Sequence, residues 1–80
     1  MLDRMGRDYD EVRKLLAYNI RARRTAMGLS QETLAFNAEL DRTYISQIER
    51  AVGNPSLLVI CKVASVLSVD VRELFNSSSD

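Results

Sequence analysis

Apolar positions recur along most of this chain in steps of three and four, the spacing that lines up side chains on one side of an α-helix. Leu15, Leu16, Ile20 and Met27 mark the inward side of a first helix from about Asp10 to Met27, and Gly28 supplies the left-handed residue that ends it. Leu29 then packs back. Ser30 suits the N-cap of a short second helix ending near Asn37, with Glu32 close to its positive end and Leu34 and Ala35 on its inner side. Ala38-Glu39-Leu40 is long enough only to turn. Asp41 caps a third helix over Arg42 to Arg50, with Ile45 and Ile48 inward, and the small Ala35 lets that helix approach the second at an angle.

Ala51 to Pro55 is a loop by its Gly and Asn-Pro content. A fourth helix follows from about Ser56 to Leu67, and Asp70-Val71-Arg72-Glu73 has the spacing of a capping box opening a fifth, short helix to Phe75. The first nine residues lack a clear period and contain Gly6, which predicts a loose arm or a short extra turn. Residues 76–80, mostly serine, are expected to fray. There is no strand pattern, internal repeat or linker. The predicted architecture is therefore all-α, with an arm at 1–9, one five-helix domain at 10–75 and a tail at 76–80.

The third helix carries the most informative chemistry. Arg42, Thr43, Ser46 and Gln47 share the face opposite its apolar side, because positions one, four and five apart stay within about half a turn. The start of such a helix is the part that enters a DNA major groove. Arg42 has the fork to donate to guanine O6 and N7, Gln47 the amide to pair with adenine N6 and N7, and Thr43 a hydroxyl and a methyl. Ser46 either joins the readout or, being small, lets the groove floor approach. Gln31 and the first amides of the second helix suit a phosphate.

Net charge is zero, with 11 basic and 11 acidic residues, which counts against a nucleic-acid binder. The distribution is uneven, however. Arg13, Lys14, Arg21, Arg23 and Arg24 form a stretch free of acids, while Asp3, Asp8, Asp10 and Glu11 precede it and Asp70, Glu73 and Asp80 lie at the far end. The chain reads as electrically polarised, or else as an ordinary solvated helix face. One cysteine, no histidine and no apolar run of membrane-spanning length lead to the expectation of a cytoplasmic, metal-free protein without a cofactor and without a membrane. The same content argues against an enzyme, since no metal-ligand cluster, phosphate loop or nucleophile with a base is present.

Taken together, Ile20-Arg21, Arg24, Gly28-Leu29-Ser30-Gln31, Leu34-Ala35, Tyr44-Ile45-Ser46, Ile48-Glu49-Arg50 and Asn54-Pro55-Ser56-Leu57 resemble the helix-turn-helix domain of the lambda-repressor-like (Cro/C1, XRE) transcriptional regulators. The resemblance runs from about Val12 to Phe75. Within it, Asp41 to Ser46 is similar to the controller proteins of restriction-modification systems. It implies that the second and third helices form the helix-turn-helix and that Gln31 both touches the DNA backbone and braces the recognition helix. It further implies phosphate roles for Tyr44, Arg50, Asn54 and Ser56, and an internal ion pair between Arg24 and Glu49. Glu39 departs from the family, which usually has glycine in that turn.

The fourth helix is too apolar for one buried stripe. Leu57, Ile60, Val63, Ala64 and Leu67 satisfy a core, with Cys61 read as a small filler, which leaves Leu58, Val59 and Val66, with Val69 and Val71, over. Such a surplus points to a second copy of the chain, because a two-fold regulator must read a repeated half-site. The expected function is a homodimeric regulator of double-stranded DNA. Repression by occupancy and activation through RNA polymerase remain open alternatives. The competing reading is a protein-interaction module of the same fold, such as an antitoxin, which zero charge and Glu39 favour.

Overall fold

A computed structural model describes residues 2–77, with side chains from residue 8 onward; residues 78–80 of the expected tail lie outside the described residues. Four α-helices follow one another, α1 (Leu2–Ala26), α2 (Gln31–Asn37), α3 (Arg42–Glu49) and α4 (Leu57–Val66). The fifth expected helix is instead a 3-10 helix, Val71–Phe75, so the α-helix count is four rather than five. Its capping box forms as expected between Asp70 and Glu73. Among the described residues there is no strand.

The N-terminal arm is corrected as well, since α1 runs unbroken through Gly6 from Leu2. A single interior glycine costs only about 1 kcal/mol, and a helix already anchored downstream gains one backbone hydrogen bond for each residue it adds. Side chains one turn apart reinforce this stretch, with Arg13 bound to Asp10 at 2.8 Å and lying over the Tyr9 ring.

The core gathers Leu16 and Ile20 of α1, Leu34 and Ala35 of α2, Ile45 and Ile48 of α3, Ile60, Val63, Ala64 and Leu67 at α4, and Leu74 of the 3-10 helix. Burying each large aliphatic contributes roughly 1.5–3 kcal/mol. Polar ties complete the packing: Asn19 donates to the Leu74 and Asn76 carbonyls, and Arg23 to the Leu67 carbonyl at the end of α4. Three inward assignments do not hold. Met27 is exposed because α1 ends at Ala26 and the helical phase no longer governs it. Leu57 is 70% exposed, since a residue in the first turn leans toward the N-terminus, past the packed helices. Cys61 is exposed on the side of α4 away from Ile60 and Val63.

All four α-helices end in the same device, in which two successive amides fold back onto the carbonyls of the last turn around a residue of positive φ. The residues at that position are Gly28 (φ 73), Glu39 (φ 60), Ala51 (φ 58) and Ser68 (φ 58). A Cβ at Gly28 would meet no atom within 4 Å, so conformation rather than space favours glycine there. Glu39, exposed in the turn between α2 and α3, therefore carries the strain expected of a side chain in this region. Glu39→Gly is expected to stabilise the fold by about 1 kcal/mol, which thermal denaturation would register as a rise of about 4–8 °C. No rise in the midpoint would mean that the turn is unstrained.

Candidate nucleic-acid interface

The first turn of each helix of the α2–α3 pair is built by a side-chain cap. Ser30 Oγ accepts from the Thr33 amide at 2.9 Å, and Asp41 Oδ1 accepts from the Thr43 amide at 2.8 Å. These caps fix where α3 begins and hence the phase of its faces. Ile45 and Ile48 point into the core, while Arg42, Thr43 and Gln47 are exposed and Ser46 is half-buried, within an arc of about 140°. Arg42 also lines a hollow with Arg24, Ser30, Gln31 and Glu32, which brings the starts of α2 and α3 together.

Behind this face stands Glu49, the last residue of α3, with a carboxylate wholly inaccessible to solvent. Arg24 grips it in a two-pronged bond, Nε to Oε2 at 2.6 Å and Nη2 to Oε1 at 2.9 Å, and donates from Nη1 to the Leu29 carbonyl. Gln31 donates to Oε1 at 3.0 Å, so the first residue of α2 braces the end of α3. Burial alone would raise the Glu49 pKa. The hydrogen bonds from Arg24 and Gln31, with the charges of Arg24 and Arg21, outweigh it and hold the carboxyl below its ordinary value. The same bond raises the Arg24 pKa against the effect of burial.

Arg21 was not singled out in the sequence as a brace, yet it donates to the Glu49 backbone carbonyl at 3.1 Å. Its position three before Arg24 on one helix face was the available signal. The acid-free basic stretch is thus spent partly on the chain's own groups: Arg21 and Arg24 turn to Glu49, Arg23 to Leu67 and Arg13 to Asp10 at the surface. At the far end of α3, Arg50 is exposed with Nε bonded to the Ser46 carbonyl at 3.3 Å. Asn54 is exposed in the α3–α4 loop, and Ser56 caps α4 by accepting from the Val59 amide. Tyr44 is half-buried and packs against the core.

The apolar surplus divides in two. Leu58 is 66% exposed beside Leu57, whereas Val59, Val66, Val69 and Val71 are half-buried and pack against the core. A carboxylate outside this region, Asp70, is drawn down to a pKa of about 2 by the Arg72 side-chain hydrogen bond. Among the described residues no helix is long and apolar enough to cross a membrane.

A restriction-modification controller protein of known structure, C.AhdI from Aeromonas hydrophila, is 48% identical, with a TM-score of 0.76 over 79% of this chain and 96% of that one. A hypothetical transcription factor of Neisseria meningitidis serogroup B is 45% identical over 84% of this chain, which spans 63% of that protein's length. The Bacillus subtilis biofilm regulator SinR, solved in complex with DNA, is 35% identical, with a TM-score of 0.71 over 76% of this chain and 98% of that one. A family model described as helix-turn-helix matches residues 20–74, a span holding both capped helices and the Glu49 brace. On this match the chain belongs to the helix-turn-helix family of XRE-type, DNA-binding transcriptional regulators.

Proposed function

We propose that this protein is a homodimer that binds a two-half-site operator and thereby controls restriction-modification genes. The observation that carries this reading is the exposed arc of Arg42, Thr43 and Gln47 at the capped start of α3, on a helix braced from behind. Such a surface presents a bidentate donor, a hydroxyl and an amide to base edges without a further ordering step. Ser46, half-buried between them, lets the backbone of α3 come close to the groove floor or contributes its hydroxyl. Gln31, Tyr44, Arg50, Asn54 and Ser56 supply backbone contacts that hold register and carry little sequence information. The controller assignment is supported by the similarity to C.AhdI and by the run Asp41 to Ser46. The dimer would be centred on Leu57 and Leu58, with the outer edges of Val59, Val66, Val69 and Val71 flanking it.

Selection of bound sequences from random duplex DNA by the purified protein tests the whole reading, because an enriched palindrome reports function, symmetry and half-site spacing together. Arg42→Ala is then expected to weaken operator binding by about 1–3 kcal/mol and to relax preference at one base pair per half-site. Gln31→Ala should weaken all duplexes alike. An unchanged motif and affinity for Arg42→Ala would remove base readout from the start of α3. Failure to enrich any duplex would favour the protein-interaction alternative.

A further inference from the structure

Tyr9 lies ahead of residue 20, where the family match begins, yet it reaches the loop that leads out of the recognition helix. Its hydroxyl donates to the Gly53 carbonyl at 3.2 Å, across 44 residues of sequence. Arg13 sits 4.9 Å from the centre of the tyrosine ring and is itself tied to Asp10 at 2.8 Å, which limits the positions the ring can take. Tyr9, Val12, Arg13 and Leu16 line one hollow together with Asn54 and Pro55. Gly53 has φ 82, a conformation that a free glycine readily leaves, so the carbonyl bond holds the most mobile type of residue in the loop.

We propose that Tyr9 is a positioning residue for DNA binding: its hydroxyl pins the Gly53 carbonyl and its ring helps line the hollow that Asn54 and Pro55 close, so the loop presents Asn54 to a phosphate already ordered. The inference rests on the assignment of Asn54 to the DNA backbone. A preordered loop loses less conformational entropy on binding, and the gain applies to every sequence because a phosphate contact does not read bases. Tyr9 thereby belongs to the binding apparatus through the loop it holds.

The test uses the full chain and the duplex enriched by selection, with an unrelated duplex beside it. Tyr9→Phe keeps the ring and removes only the hydroxyl, and is expected to weaken both duplexes about three- to tenfold with base preference unchanged. In an Asn54→Ala background the same substitution should add no further loss, a coupling that a purely structural role would not produce. Tyr18→Phe, at an exposed tyrosine of the same helix, should leave binding as it was. Without DNA, Tyr9→Phe should speed amide exchange at Val52, whose N–H donates to the Gln47 carbonyl next to the pinned glycine. Wild-type affinity for Tyr9→Phe, or equal losses in both Asn54 backgrounds, overturns the inference while leaving the DNA-binding reading intact. A wild-type selection that enriches no duplex, with no binding to random duplex DNA, overturns both.

Discussion

Glu49→Ala is expected to lower folding stability by about 3–5 kcal/mol, because it leaves the Arg24 guanidinium largely buried without its carboxylate. The Arg24 side chain is only 13% exposed, and its remaining bond is to the Leu29 carbonyl. A domain of this size has a total stability on the order of 5–10 kcal/mol, so a urea titration should find the variant close to unfolding in water. The pH dependence has a definite sign. Glu49 is held below its ordinary pKa, so its contribution is fully present above the unfolded value near about 4.3 and is lost as pH falls through the lower folded value. The wild type should therefore lose stability below about pH 4 more steeply than Glu49→Gln, which has no charge to lose. Asp70, at about 2, adds an acid loss of its own to both proteins and cancels in the comparison. Equal acid slopes would show that folding does not lower the Glu49 pKa, so that the ion pair does not favour the carboxylate.

Leu58→Glu is expected to give a folded monomer that binds a full operator about 10²- to 10⁴-fold more weakly, since each half-site must then be held alone. The fold should survive because Leu58 is exposed and lies in the first turn of α4, where an acid suits the helix dipole. Val59 is a poorer site for the same experiment, because its half-buried side chain packs on the core and a charge there would act on folding as well. Sedimentation gives the oligomeric state, and circular dichroism the fold. Binding to an isolated half-site should be little changed, which separates loss of the dimer from repulsion between the new carboxylate and a phosphate. A variant that stays dimeric at micromolar concentration would place the interface elsewhere.

The extent to which the sequence foretold these features depends on how local their causes are. Ser30, Asp41 and Asp70 announce helix starts because the capping bond spans only two or three residues. Gly28 announces an end for the same reason. Ala51 and Ser68 end helices in the same way without glycine, closed by backbone hydrogen bonds that any residue can make, so the left-handed conformation there leaves no mark in composition. Gly6 misled in the opposite direction, since a modest local cost was overridden by a long helix anchored downstream. Leu57 fits the apolar phase of α4 but lies past the edge of its neighbours, a fact that periodicity cannot contain. At the face proposed to read bases, the exposed phase of Arg42, Thr43 and Gln47 followed from helix geometry alone. The convergence of Arg21, Arg24 and Gln31 on Glu49 needed three dimensions to be complete.

The brace on Glu49 also bears on how such a protein can change over evolutionary time. It fastens α3 through its C-terminal residue to α1 and α2, about two turns along the helix from Arg42 and on a different side from Thr43 and Gln47. Substitution at Thr43 or Gln47 thus alters the proposed reading surface away from what keeps the helix in place, whereas Arg42 shares a hollow with Arg24 and Gln31 of the brace. A lineage under pressure to recognise a new operator has Thr43 and Gln47 as a freely exchangeable alphabet, and drift in binding preference need not erode the scaffold that carries it.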